Sequence, residues 1–321
     1  MTSRLRVALL AGGRSSEHDI SLASARSVLE ALDPGRYDVV EIAVGRDGSW
    51  GIDGDTLTAL AGFDVVLPIL HGPFGEDGTV QGLLELADVA YVGAGVAASA
   101  LAMDKDLFKK VMRDSGIPVA RHHTIRLGDP VENPLGYPVF VKPARLGSSV
   151  GISKVVDPPQ LDAAVALARR HDEKVLVEEF VDGVEVECGV LGNRVPPPVA
   201  SLPGRIDTLG HEWYDYASKY DEGGMELVVP PELPAETVEL VRRRAVDAFV
   251  ASECEGMARI DFFVRGDGEV VVNELNTIPG FTATSVYAKL FAASGIPYGE
   301  LLDRLIALAL ERHERRAQLE F

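Results

Sequence analysis

Cysteine is nearly absent: Cys188 and Cys254 are the only two in 321 residues, they lie far apart, and neither sits in a CxxC. A disulfide framework and a cysteine-based zinc site are therefore not indicated, which fits a reducing cytoplasm. Long apolar runs are missing as well, and no segment approaches the ~20 residues a membrane-spanning helix needs. The opening MTSRLRVALLAGG places Arg4 and Arg6 before an apolar run, but the run is short and meets Gly12-Gly13, then Arg14, Glu17 and His18. It reads as a first β-strand, not a secretion signal. Basic residues are the third shortage. Lys and Arg number 31 against 49 Asp and Glu, a net charge of −18, which argues against nucleic acid or an anionic membrane as the main partner. An anionic ligand held by a few local lysines and a metal stays compatible with that balance.

The remaining composition is that of an ordinary globular protein, with 46% hydrophobic and 25% charged residues. The length suggests two or three subdomains. Over the first hundred residues strands alternate with helices: strands at Val7–Leu10, Val39–Val44, Val65–Leu70 and Tyr91-Val92, helices at Ser21–Leu32 and Thr79–Ala87. That alternation indicates a parallel sheet covered on both faces, with ligands expected outside the carboxyl ends of its strands. Two loops leave those ends carrying polar residues, GGRSSEHDIS with Glu17 and HGPFGEDGTVQG with His71. An exposed carboxylate there suits an ammonium group, although a Gly-Gly turn or a sheet-capping histidine is common without any ligand.

From Met103 the pattern changes. Asp104–Ser115 reads as a helix with Leu107, Val111 and Met112 apolar and Lys105, Lys109 and Lys110 on a solvated face. YPVFVKPARLGSSVGISKV gives a strand, Lys142, a Gly/Ser loop with Ser148 and Ser149, and a second strand. Backbone N–H groups of small residues approach phosphate oxygens closely, and a flanking lysine adds charge. No GK[ST] ends the loop, so it is not a Walker A loop. Pro158–His171 reads as an amphipathic helix, and VLVEEFVDGVEVECGVLG as a strand pair turning at Asp182-Gly183. Within that pair Glu178, Glu185 and Glu187 are candidate acceptors for an adenine or a ribose, or simply solvated strand residues. Residues 193–232 lack periodicity and read as a long lid or binding loop bearing HEWYDYASKY. Helices follow at Ala235–Glu253 and Leu301–Ala317.

The most informative stretch is ARIDFFVRGDGEVVVNELN, residues 258–276. Two apolar runs flank Asp267-Gly268, a signal for a hairpin with a two-residue turn. With that turn, Asp261 stands opposite Glu274 and Arg259 opposite Asn276, all four on one face of the ribbon. Like charges directly opposite are destabilising, so such a pair points to a shared proton, a nearby cation or a bound metal. Two carboxylates, an amide oxygen and a guanidinium suit a hard cation such as Mg²⁺ next to phosphate. A charged, solvated hairpin face is the plain alternative.

GGRSSEHDIS, HGPFGEDGTVQG, MDKDLFK, VKPARLGSSVG, WYDYASKY, ARIDFF and NELNTIPGFT follow one another along nearly the whole chain. In this the sequence resembles the D-alanine–D-alanine ligases of the ATP-grasp superfamily. The resemblance implies an N-terminal α/β substrate domain (1–103), a central ATP-grasp subdomain (104–190) and a C-terminal catalytic subdomain with the lid (191–321). It implies ATP between the last two. Lys105 and Lys142 would meet the phosphates, and Ser148-Ser149 would cover them. Glu178 would meet the adenine and Glu185 the ribose. Lys219 would reach the γ-phosphate, and Asp261, Glu274 and Asn276 would hold two Mg²⁺ ions, or Mn²⁺. Glu17, with His71 nearby, would take the ammonium group of the first D-alanine. Glu17, Ser148 and Tyr220 would form a hydrogen-bonded set. Ser285, beside Val286, would bind the second carboxylate, and Arg259 with the Gly280 N–H would stabilise an oxyanion. A homodimer is also implied. The chain departs from the family pattern at Ala217, Asn273, Val286 and Ala288. The expected activity is D-alanyl-D-alanine formation for peptidoglycan precursors; the alternative is a related ligase with D-serine, D-lactate or another second substrate.

Overall fold

A computed structural model describes residues 4–208 and 224–320. The first sheet is parallel, order β2-β1-β3-β4, from β1 (Leu5–Gly12), β2 (Tyr37–Val44), β3 (Val65–Ile69) and β4 (Ala90–Tyr91). Its central strands β1 and β3 are buried on both faces, as a parallel sheet requires, while the edge strand β2 is half exposed. One face packs the helices Thr56–Leu60 and Thr79–Leu86. The other packs His18–Ala31 and, from the far end of the chain, the helix Tyr298–Arg316. Arg312 of that helix is buried, donates to the carbonyls of Tyr91 (2.8 Å) and Gly93, and lies over the Tyr91 ring. The chain therefore closes on its own beginning. Gly12, at φ +96°, ends β1 where a Cβ would come within 2.4 Å of the Val44 carbonyl, so the turn admits only glycine.

The second sheet is antiparallel, order β5-β8-β6-β7, from β5 (His122–Ile125), β6 (Val139–Pro143), β7 (Ser153–Val155) and β8 (Val175–Glu179), backed by the helix Leu161–Ala168. The third runs β12-β11-β9-β13-β14, with β9 (Val184–Gly192), β10 (Val199–Ala200) beside it, β11 (Gly204–Thr208), β12 (Met225–Val228), β13 (Gly256–Val264) and β14 (Val270–Asn276). It packs against Val96–Met103, Lys105–Asp114 and Ala235–Ala251.

Several expectations need correction. β8 and β9 are not a strand pair: the chain leaves one sheet at Asp182-Gly183 and enters another, so a turn signal here marks a crossing. The expected subdomain limit at 190 falls inside β9. The stretch 193–232 holds three short strands among its described residues. Helices Val96–Met103 and Val286–Ala293 carried no clear sequence signal. In Lys105–Asp114 the buried face is rotated from the expected one: Met112 is buried as expected, but Lys105 and Lys109 are buried with it and Phe108, while Leu107 is exposed.

The hairpin holds a compensating pair of errors. Its loop has three residues, Gly266–Gly268, with Arg265 N–H on the Glu269 carbonyl (2.9 Å) and Gly268 at φ +87°. That shifts the pairing by one, giving Val264↔Val270 and Phe262↔Val272. A β-bulge at Asn273 then restores the register, so Asp261 pairs with Glu274 and Arg259 with Asn276 as the two-residue turn requires.

The helix Lys105–Asp114 is fixed by Asp106, whose buried carboxylate takes Thr124 Oγ1 (2.9 Å), His122 Nε2 (3.2 Å) and Lys110 Nζ (2.9 Å). Burial opposes ionisation, but these donors outweigh it and hold the carboxyl well below its ordinary range. Asp106→Ala strands the buried donors and is expected to cost about 3 kcal/mol in urea unfolding. A loss under ~1 kcal/mol would contradict this role.

Candidate active site

Three acids lie side by side across the third sheet. Glu187 on β9 pairs with Asp261 on β13, which pairs with Glu274 on β14. Cross-strand carboxylates at about 5 Å repel, and the structure answers each with a cation. Arg259 Nε lies 2.9 Å from Glu187 Oε2, and its guanidinium grips Asp261 in a fork, Nε–Oδ1 and Nη2–Oδ2 both 2.7 Å. Asn276 Nδ2 also donates to Asp261 Oδ2 at 3.0 Å, turning its amide oxygen away from that bond. Lys105 Nζ lies 3.1 Å from Glu274 Oε2 and donates to the Leu146 carbonyl at 2.9 Å.

A cavity of about 410 Å³ opens between the second and third sheets. Lys105, Lys142, the 147–149 loop, Glu274, Phe140, Phe180, Val181, Glu185 and Phe263 are among its lining residues. The walls thus combine two lysines and a Gly-Ser-Ser loop with three aromatic rings and several carboxylates. Ser148 and Ser149, in the β6–β7 loop, adopt φ of +51° and +57°, strained for residues with a Cβ. Glu178, expected at the adenine, is buried with Lys142 Nζ 2.6 Å from Oε1 and Lys109 Nζ 2.8 Å from Oε2. Burial alone would raise its carboxyl; the two ammonium groups bring it down to about 2.

A second cavity, about 360 Å³, lies at the carboxyl ends of β1 and β3, the crevice expected of a parallel sheet. It collects Glu17, His71, Arg259, Asn276, Gly280, Ser285 and Val286. Ser148 Oγ donates to Glu17 Oε1 at 2.5 Å, joining the second sheet's loop to the first sheet. His71 Nδ1 lies 3.0 Å from the Ile278 carbonyl, which only accepts, so Nδ1 carries the proton and Nε2 presents a lone pair. Burial lowers the His71 pKa and keeps the ring neutral. Ser285 Oγ accepts the Thr282 N–H at 3.0 Å, beside Gly280. The two cavities share a wall, Gly147, Ser148 and Glu274. Lys219 and Tyr220 lie outside the described residues, as does Ala217.

Three residues here escaped the sequence. Lys109 looked solvated because charge was read as exposure. Glu187 was noted only as a possible nucleotide acceptor; it faces Arg259 instead. Glu76 went unremarked within HGPFGEDG, although its carboxylate accepts the N–H groups of Gly72 (2.7 Å) and Ile278 (3.1 Å) and so ties the first sheet to the loop carrying Gly280. Asn273, out of place on an apolar face, is the bulge residue: its carbonyl takes Lys109 Nζ at 2.9 Å and it lines the first cavity. Cys188 and Cys254 are buried thiols pushed up to about 12 by desolvation, without a disulfide.

Comparison with known proteins decides the family. The profile for the D-ala D-ala ligase C-terminus matches residues 111–307, and that for the N-terminus matches 6–60 and 51–94. A D-alanine–D-alanine ligase of Solibacter usitatus is 48% identical over 99% of each chain.

The chain belongs to the D-alanine–D-alanine ligase family.

Its fold is accordingly the ATP-grasp fold. The ligase structure from Coxiella burnetii covers 98% of this chain and 96% of its own at a TM-score of 0.86 and 36% identity. VanG D-Ala:D-Ser ligase from Enterococcus faecalis covers 96% and 100% at 0.85 and 35%. The Bacillus anthracis ligase complexed with ATP covers 97% and 99% at 0.83 and 28%.

Glu76 gives the site a pH signature. Burial, then the neighbouring Glu17 charge, raises its carboxyl from 4.5 to about 8. Between those values the folded chain binds more protons than the unfolded one, so this group lowers stability as pH rises. The buried, neutral-favouring His71 and His122 act in the opposite sense, so the Glu76 component is read as a difference: from pH 5 to 8 the denaturation midpoint of Glu76→Gln is expected to rise relative to that of the parent. An unchanged slope in the variant would contradict the assignment.

Proposed function

We propose that the chain joins two D-alanine molecules at the expense of ATP, giving D-alanyl-D-alanine, ADP and phosphate for peptidoglycan precursors. The observation that carries this is the shared wall: a cavity lined by Lys105, Lys142, Phe140 and Phe180 meets a second cavity lined by the Glu17 carboxylate across Gly147, Ser148 and Glu274. A phosphoryl group made available in one is delivered to an acid held in the other.

In this reading Lys105, Lys142 and the Ser148-Ser149 loop hold the phosphates, Glu185 the ribose, and the apolar end around Phe140 and Phe180 the adenine, with Glu178 beneath it. Lys219 and Tyr220 complete the set from the lid. Glu17 holds the ammonium group of the first D-alanine, and that substrate's own carboxylate attacks the γ-phosphorus of ATP as the bond to the β,γ-bridging oxygen breaks and ADP leaves. Phosphoryl transfer depends on position and charge neutralisation more than on covalent help, which suits these lysines. The second amine, its carboxylate at Ser285 beside Val286, then attacks the acyl phosphate and phosphate leaves. The oxyanion of that step faces Arg259 and the Gly280 N–H, donors fixed before the charge develops. His71, neutral with an open Nε2, can accept a hydrogen bond from an amine but not repel it.

The donor set fits a divalent cation: two carboxylates from paired strands plus an amide oxygen whose nitrogen is already committed to Asp261. Asp261, Glu274 and Asn276 would hold two Mg²⁺ ions there, or Mn²⁺. When bound, the metal neutralises phosphate oxygens during transfer. No helix among the described residues is long and apolar enough to cross a membrane; a cytoplasmic site for this work follows from the family reading. A homodimer follows from the family reading.

Purified protein with ATP, Mg²⁺ and D-alanine alone is expected to release ADP and D-alanyl-D-alanine. ADP release only when D-serine or D-lactate is added would replace this reading with a ligase of another second substrate. Glu274→Ala is expected to lower turnover by at least about 10³-fold in a chain that still folds. Undiminished Mg²⁺-dependent activity in that variant refutes the metal role.

A further inference from the structure

The two lysines on Glu178 are not equivalent. Lys142 lines the first cavity and meets Glu178 Oε1 from the cavity side. Lys109 is enclosed, with no side-chain exposure, and is not among the cavity's walls. Its Nζ is held twice over, 2.8 Å from Glu178 Oε2 and donating to the Asn273 carbonyl at 2.9 Å. That carbonyl belongs to the bulge on β14, in the third sheet, whereas Glu178 sits on β8, in the second. Asp106, one residue along from Lys105, fixes the helix that delivers Lys109 between them. One lysine is thus anchored from two sheets, and the other reaches open space.

A buried carboxylate deserted by its cation is strongly destabilising. A phosphate-binding lysine that must also neutralise such a carboxylate can deliver only part of its charge. We propose that Lys109 is the fixed counter-ion of Glu178, which lets Lys142 leave Glu178 for the phosphates of a bound nucleotide without stranding a buried charge. Lys109 is a positioning residue: it acts on the nucleotide through Glu178 and Lys142. This inference rests on the nucleotide reading of the cavity.

Binding of ADP and of the β,γ-imido analogue of ATP, measured by titration calorimetry, tests it. Lys109→Met ties Lys142 to Glu178 and is expected to weaken nucleotide binding about tenfold or more, with KM for ATP rising in step and kcat at saturating ATP changing less. Lys109→Arg, which keeps the charge, is expected to recover most of the affinity. In a Glu178→Gln background no buried carboxylate needs a counter-ion, so adding Lys109→Met is expected to change affinity by less than about twofold. If Lys109→Met alone does not fold, that second comparison stands by itself, since both of its chains lack the buried carboxylate. Parental affinity in Lys109→Met, or an equal loss with Gln at 178, overturns the proposal. A parent chain that binds nucleotide but joins no D-alanine would sink the ligase reading and leave this test intact.

Discussion

The structure turns on the repulsion among Glu187, Asp261 and Glu274, neighbours on three successive strands. Side chains so placed destabilise a sheet unless positive charge meets them. Arg259 supplies it from within the sheet, bridging Glu187 and Asp261. Lys105 supplies it from outside, on a helix between the second and third sheets. The same helix carries Lys109 to Glu178. Satisfying the acid row and building a cationic cavity are therefore one act of folding. The acids offer oxygen atoms that suit a hard cation, and Lys105, which neutralises Glu274, lines the first cavity.

The first sheet is brought to this centre by contacts distant in sequence. The helix Tyr298–Arg316 packs against it, and Arg312 holds the Tyr91 and Gly93 carbonyls. On the opposite side of the crevice the peptide of Ile278 is clamped from both ends, its N–H by Glu76 and its carbonyl by His71. Ser148 reaches across to Glu17. These links fix Gly280, Arg259 and Glu17 around one cavity, so motifs far apart in the sequence come together there.

Much of this was legible in the sequence because its chemistry is local. Alternating strands and helices gave the parallel sheet and the ends of β1 and β3 as the crevice. The Asp261–Glu274 confrontation was read correctly although the turn was not: a three-residue loop and the Asn273 bulge shift the register in opposite senses and cancel. A bulge leaves no pattern beyond one polar residue on an apolar face, and Asn273 was that residue. Lys109 was misread because periodicity treats charge as solvent-facing, and only tertiary structure reveals Glu178 and a bulge carbonyl waiting beneath the helix. Asp182-Gly183 misled in the same way, since a turn motif specifies a change of direction and not which strand comes next. Val286 is buried in the second cavity and Ala288 in the helix behind it; nothing in the structure explains why these two differ from the family pattern.

In the proposed function, Asp261 and Glu274 of the acid row, with Asn276, are where a divalent cation would join a nucleotide to the protein. Mn²⁺ binding followed by electron paramagnetic resonance in the presence of ADP tests it most directly. The account requires a protein-bound Mn²⁺ signal that depends on ADP and is lost in both Asp261→Asn and Glu274→Gln. A signal of the same strength in those variants would place the cation elsewhere and contradict it.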